Sequence, residues 1–287
     1  IDHIMHMLAA CYSLTLVLVI FLIAVEVSVA FPLQVVGVSK RIVGRSITAL
    51  QMSSSTDCQR GKLLLSNLTT LSTDGPVRLI LASQSPRRRE ILDMMGLTGR
   101  YLVQPSPLDE EKLQKELANQ SFAPKDYAKK LAESKAHALA EEMSSSSTEY
   151  EQECTLLLGS DTIVDLGGEI LEKPKSEDDA KIMLSKLSDS WHEVHTGVAL
   201  YKMNHSAGGV VDLVSSFTDT ARVKFTSLSV EDIDAYVGTG EPMDKAGSYG
   251  IQGIGGQMVE LMEGDFFTVM GLPMHRLSGE MAKALSL

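Results

Sequence analysis

A buried strand that runs directly into a helix start sets the class of this fold. Residues 77–82 (VRLILA) are apolar but for Arg78, and Ser83-Gln84-Ser85-Pro86 follows at once. An apolar run of that length between turn signals suits a buried strand. Ser85 and Pro86 supply the N-cap and first-turn chemistry of a helix. That helix carries Ile91, Leu92 and Met95 inward and stops at Gly96. The alternation then continues. Tyr127, Leu131, Ala132, Ala136 and Leu139 recur near helical spacing within 125–143. Residues 155–158 and 162–164 read as a strand interrupted by Gly159-Ser160-Asp161, with a turn at 165–168 and a return strand from Glu169. Ser176 caps a helix whose first turn holds Glu177, Asp178 and Asp179, where the helix dipole favours acids. Strands at 192–201 and 210–225, a helix from Ser229 to Val237, a strand pair near 258–270 and a last helix from Pro273 complete the reading. No repeat or linker divides 75–287, so one α/β domain with two lobes around a cleft is expected.

The first 74 residues are of another kind. Residues 14–25 (LTLVLVIFLIAV) are apolar except for Thr15, and Ser28 and Ala30 stand at −3 and −1 before Phe31. The run is shorter than the roughly 20 residues of a membrane span. Residues 1–30 therefore read as a cleaved signal peptide, with an uncleaved anchor as the alternative. Residues 31–74 are rich in Ser, Thr, Lys and Arg, the composition of a transit segment without fixed structure. Signal plus transit sequence predicts a plastid reached through the secretory route, against a secretory or cytoplasmic alternative. Met5 or Met7 is a candidate start, and Met52 one for a cytosolic form.

The formal charge is −11. After position 74 there are 21 basic and 33 acidic residues, so the acidity belongs to the α/β part. Nucleic acid is thereby excluded as a partner, and membrane contact is confined to the N-terminal segment if uncleaved. Three scattered cysteines make neither a disulfide framework nor a zinc cluster.

Against that acidic background four clusters stand out. Arg87, Arg88 and Arg89 oppose the dipole of the helix that they open, which suits an anion site and phosphate in particular. Asp161 is a carboxylate in an apolar strand, which requires a cation or hydrogen-bond donors. Backbone donors at a strand end would serve it as well as a divalent metal with phosphate. In Glu172-Lys173-Pro174 the proline fixes the backbone beside a lysine. Residues 241–253 (EPMDKAGSYGIQG) allow close backbone approach to a ligand, and Gln252 offers a donor and an acceptor to a base edge. His192 and His195, three apart in a strand, face opposite sides and are discounted as a metal pair. Trp191 is read as packing, and Cys154 has no cue for catalysis. There is no GxxxxGK[ST] phosphate loop and no GxSxG elbow.

Taken in order, the segments LILASQSPRRREIL (79–92), LDEE (108–111), LAESKAHALA (131–140), LLGSDTIVDLGGEILEKP (157–174), HEVHTGVAL (192–200), EPMDKAGSYGIQG (241–253) and VMGLP (269–273) resemble the Maf family of nucleoside triphosphate pyrophosphatases. The resemblance spans roughly 77–285. It implies a long mixed β-sheet flanked by helices, with two lobes around a cleft, related to inosine-triphosphate pyrophosphatases. It implies cleavage between the α- and β-phosphates with Mg²⁺ or Mn²⁺. Asp161 matches the catalytic aspartate, as base or metal ligand, and Glu110 a metal- or water-associated acid. Ser83, Arg87 and Arg88 match the phosphate-binding first motif. Lys135 and Lys173 match phosphate-contacting lysines, and Gln252 a residue at the nucleotide. Thr162, with Ile251-Gln252-Gly253, is similar to the dTTP/UTP subgroup rather than the 7-methyl-GTP one. The resemblance allows a homodimer. It also brings an alternative, a nucleotide-binding regulator of septum formation without essential turnover. Departures are Arg89 beside the usual pair, an insertion at 144–153 and the N-terminal extension.

Overall fold

The computed structural model describes residues 62–286 except 74, 119, 121, 146–153 and 206–209. The expected signal segment, most of the transit-like stretch and residues 146–153 of the insertion lie outside the described residues. In chain order the elements are β1 (Val77–Leu81), α1 (Pro86–Leu92), β2 (Tyr101–Val103), α2 (Glu110–Ala118), α3 (Pro124–Ser145), β3 (Cys154–Leu166) and β4 (Glu169–Leu171). Then come α4 (Glu177–Leu187), β5 (Trp191–Asn204), β6 (Val210–Phe225), α5 (Val230–Val237), β7 (Val259–Glu263), α6 (Phe266–Met270) and α7 (Met274–Ala284). Among the described residues no helix is long and apolar enough to cross a membrane.

The sheet is mixed, in the order β2-β1-β3-β5-β6-β7, with β4 on the outer part of β3. β1 runs parallel to β2 and β3, and every other pair is antiparallel. β3, with 13 residues, is about 43 Å long at the usual rise per residue. β1 covers its edge only from Cys154 to Leu158, and β4 resumes at Val164. Between them no strand among the described residues claims that edge. The Ala82 N–H bonds the Leu158 carbonyl across it, and strand alternation turns the main chain of Ser160 and Thr162 the same way, into the gap.

Period-two alternation along β3 sorts the core. Leu156 and Leu158 pack with Leu79 and Leu81 against α1 and α7. Further along the same face, Val164 joins Val194, Val223 and Phe225 against α4 and α5. Leu157 on the opposite face meets Ala132, Ala136 and Leu139 of α3. Two bodies of core thus sit along one set of strands. Leu64 and Leu71, upstream of the compositional break, are buried in the first of them, so packed chain reaches back past residue 75. α3 lies unusually close to the sheet. A Cβ on Gly159 would stand 2.3 Å from the Ala132 carbonyl oxygen, and one on Gly197 would stand 2.2 Å from that of Ala128. Only glycine permits this approach, and it sets the height of α3 over β3.

Several local expectations are corrected. β3 is not interrupted at Gly159-Ser160-Asp161. Its pairing with β5 runs unbroken from Cys154–Asn204 to Asp165–Glu193, because the polar side chains find partners off the strand. Ser85 does not cap α1 with its side chain. Ser83 Oγ accepts the Ser85 N–H instead. The strand pair near 258–270 is one strand and a short helix, because Asp265 caps α6 by accepting the Thr268 N–H. β2 and α2 had no expected counterpart. Trp191 is half-buried under the Arg222 guanidinium, 4.8 Å from its ring, in keeping with a packing role.

His192 faces the second core body, where Phe225 meets it edge-on and the Tyr249 hydroxyl lies 2.9 Å from Nε2. Burial pushes its pKa from the usual 6.5 down to about 4. The unfolded chain therefore binds the additional proton first. Acidification from pH 6.5 to about pH 4 should remove about 3 kcal/mol of stability through this one group. Denaturant titrations across that range should show His192→Gln with a flatter pH profile than the native chain. An unchanged slope contradicts the assignment.

Candidate active site

β3 crosses one cavity of about 400 Å³ at its unclaimed edge. That volume is in the range of sites for small ligands. Because the cavity meets β3 at an edge, side chains from both faces reach it, Asp161 from one and Thr162 from the other. It lies between the two core bodies, with Met270 on one side and Val164, Val194 and Tyr249 on the other. All nine residues expected at the site line it: Ser83, Arg87, Arg88, Glu110, Lys135, Asp161, Thr162, Lys173 and Gln252. Arg89 is exposed and does not.

Asp161 has its cation. The buried ammonium of Lys135, on α3, is 2.5 Å from Asp161 Oδ1 and 3.0 Å from Glu110 Oε2. Glu110 opens α2, where Asp109 Oδ1 accepts the Lys112 N–H and so fixes the first turn. The glycine contacts under α3 thus place Lys135 between two carboxylates from separate elements.

Arg88 is buried and largely committed. Its Nε donates to the Gly271 carbonyl at 3.0 Å, Nη1 to Ser83 Oγ at 2.8 Å and Nη2 to Thr162 Oγ1 at 3.3 Å. Burial lowers its pKa, opposed by the Asp161 carboxylate. Three of five guanidinium N–H groups are used in this way, leaving two for a ligand. The hydroxyls around it have a definite direction. Thr196 donates to the Thr268 carbonyl at 2.7 Å, so in its 2.9 Å contact with Thr162 it accepts. Thr162 therefore spends its proton on Thr196 and orients Arg88. Ser83 accepts from Arg88 and from the Ser85 N–H, so its own proton remains for a ligand oxygen.

The sequence reading missed what holds the far wall. Arg87 is not free: it pairs with Asp244 Oδ2 at 3.0 Å and donates to the Asp244 carbonyl. Asp244 also accepts from Lys245 at 2.6 Å, and the two cations hold its pKa down against the effect of burial. Glu241 ties the next turn, accepting from Ile254 N–H at 2.9 Å, Gly255 N–H at 3.1 Å and the Tyr236 hydroxyl at 3.0 Å. Burial pushes its carboxyl up, but those donors win and the net pKa is lowered. Gln252, between these anchors, is exposed to the cavity. Ser248, at φ +61°, holds a left-handed conformation that only a residue locked by its surroundings keeps. Lys173 is exposed and has no ion-pair partner among the described residues. Beside it the half-buried Glu172 accepts from Tyr127 at 2.5 Å; burial raises its pKa, with Asp161 adding to the effect.

The cavity lining holds five cations (Arg87, Arg88, Lys135, Lys173, Lys245) and three carboxylates (Glu110, Asp161, Asp244). A locally positive pocket in an acidic chain is fitted to a polyanion.

The model of the Maf family, described as Maf-like protein, matches residues 78–284. The chain belongs to the Maf family. Its curated relatives include the dTTP/UTP pyrophosphatase of Aquifex aeolicus, 41% identical over 201 residues, which are 70% of this chain and 92% of that protein. The dTTP/UTP pyrophosphatase of Hahella chejuensis is 42% identical over 200 residues, 70% of this chain and 89% of that one. A human "probable bifunctional dTTP/UTP pyrophosphatase/methyltransferase protein" is 42% identical over 210 residues, 72% of this chain. This chain covers 32% of that longer protein. The Maf match thus falls on the described α/β unit and contains every residue that lines the cavity.

Proposed function

We propose that this Maf-family chain is a nucleoside triphosphate pyrophosphatase. It hydrolyses dTTP and UTP, and related modified pyrimidine nucleotides, to the monophosphate and pyrophosphate. The observation that carries the reading is the Asp161–Lys135–Glu110 group at the floor of a pocket walled by arginines and lysines. The activity for which its relatives are named supports it.

Water adds across the α–β anhydride: one P–O bond forms, the bridging P–O bond breaks, and a water proton passes to the Asp161 carboxylate. Lys135 holds that carboxylate in place. Arg88, Ser83 and Lys173 have donors or charge left for phosphate oxygens, where negative charge gathers as pyrophosphate departs. Arg87 has to share itself between Asp244 and the ligand. Gln252 reads the base edge from the turn that Glu241 anchors. Asp161 and Glu110 bring two hard carboxylate oxygens to one cationic position, a donor set suited to Mg²⁺ or Mn²⁺ with substrate phosphates as the other ligands. Such an ion, when bound, supplies charge neutralisation at the phosphates.

The test is pyrophosphate release from dTTP, UTP, CTP, 7-methyl-GTP and purine triphosphates with Mg²⁺ or Mn²⁺. Turnover confined to dTTP and UTP is expected. Activity on another base keeps the chemistry and overturns the specificity. Binding without turnover moves the case to a regulator. Glu241→Ala leaves three donors without their acceptor and frees the Gln252 turn. Its KM for dTTP should rise about tenfold or more with kcat little changed, the pattern of lost uniform binding. A fall confined to kcat contradicts this role.

We further propose plastid import directed by residues 1–74. A fluorescent fusion of that segment that stays in the cytosol overturns it.

A further inference from the structure

The two histidines of β5 do face opposite sides, yet His195 meets two carboxylates outside the cavity just described. Asp165 and Glu193 are cross-strand partners on β3 and β5, and His195 lies two residues along β5 on the same face. Its Nε2 is 3.4 Å from Asp165 Oδ2 and 3.4 Å from Glu193 Oε2, and the three ligand atoms all lie within 4.8 Å of one another. From the geometry we propose that Asp165, Glu193 and His195 form a second metal site, for a divalent cation of the zinc type.

As a hydrogen-bond network this arrangement is poor. One Nε2–H serves one acceptor, and charge-assisted bonds close to about 2.7–2.9 Å. The observed separation instead matches the edge of a tetrahedron, about 3.4 Å for metal–ligand bonds of about 2.0–2.1 Å. Mixed imidazole and carboxylate donors suit Zn²⁺, with water in the fourth position. Outer partners already hold the ligands. His195 Nδ1 is 2.9 Å from Thr220 Oγ1, and Asp165 Oδ1 accepts the Gly168 N–H at 2.6 Å, so Oδ2 is the oxygen left to point inward. Such contacts fix ligand orientation in metal sites. His195 is 1% exposed, so its ring is held by its neighbours rather than by solvent. Lys125 lies near enough to act on His195, but among the described residues no lysine or arginine pairs with Asp165 or Glu193. Two carboxylates thus stand beside one imidazole with no paired lysine or arginine among the described residues.

This set is separate from the Asp161–Glu110 pair. Asp165 is four residues further along β3, about 13 Å at the usual rise. A metal there ties β3, β5 and the β3–β4 turn together at the root of the hairpin that leads to Lys173.

Zn²⁺ is titrated against a chromophoric chelator with the untagged full chain carrying Asp161→Asn, which disables the cavity pair. One Zn²⁺ per chain is expected to persist, and Co²⁺ in its place should give the intense visible absorption of four-coordinate geometry. Glu193→Gln, at a half-exposed position that leaves the fold intact, should weaken Zn²⁺ binding at least about tenfold. His195→Gln should abolish it. No stoichiometric binding in the Asp161→Asn chain, or binding that neither further substitution weakens, overturns the proposal.

Discussion

Asp161→Asn should lower kcat/KM for pyrophosphate release by about 10³-fold or more, while nucleotide binding changes only a few-fold. General-base catalysis alone contributes about 10²–10⁴-fold, and the substitution also removes half of the carboxylate pair available to a divalent ion. The fold should survive. Asn keeps the shape and an acceptor oxygen for the Lys135 ammonium, and Glu110 remains 3.0 Å from that ammonium. Breaking a buried ion pair outright costs about 3–5 kcal/mol; here a second carboxylate softens the loss. The phosphate contacts proposed above come from Arg88, Ser83 and Lys173, none of which bonds to Asp161, so binding should persist. The assay is pyrophosphate release beside equilibrium binding of dTTP. Activity within tenfold of the native chain removes Asp161 from the chemistry, and loss of binding together with activity recasts it as a structural residue.

Gly197→Ala should be nearly as severe, for a different reason. The added Cβ would sit 2.2 Å from the Ala128 carbonyl oxygen, 2.4 Å from its carbon and 2.6 Å from the Lys129 nitrogen. All three are helix backbone, which cannot swing aside as a side chain does. Either α3 lifts from β5 or the strand bends. A loss above about 4 kcal/mol is expected, at the extreme of single substitutions. Whatever remains folded should also lose turnover, because α3 carries Lys135 to Asp161. Thermal melts and residual activity check both parts. A stable, active Gly197→Ala chain contradicts the close-approach argument. Gly167→Ala is a useful contrast: its added Cβ meets no atom within 4 Å, although its φ of +61° still carries strain.

Some residues of the cavity were legible because they break a local rule, whereas Ser83, Glu110, Lys135 and Thr162 were legible only through the resemblance. Asp161 is a charge in an apolar strand, Arg88 a cation at the wrong end of a helix, Gln252 a polar side chain in a run of turn residues. Tertiary partners obey no local rule, so they were not legible. Asp244 is 157 positions from Arg87, and nothing in either segment announces the pair. The hydroxyl chain from Thr162 to Thr268 likewise joins β3, β5 and α6. α2 escaped notice because EEKLQKELA is short and marks its buried face with only Leu113 and Leu117, and β2 because three residues carry no period. Gly159 was read as a break in β3 when it is a contact surface. The residue type is the same in either role, and only the packing of α3 decides between them.

The gap along β3 has a consequence for how occupancy is detected. An interior stretch of sheet without a neighbour leaves the amides of Ser160 and Thr162 facing the cavity and open to exchange with solvent. A nucleotide seated there fills the place of the missing strand segment. Hydrogen–deuterium exchange at these two amides should therefore slow when substrate or product binds, while the Ala82 amide, already donated to the Leu158 carbonyl, stays protected throughout. The same stretch of backbone that leaves room for the ligand would then report its presence, with no label and no turnover.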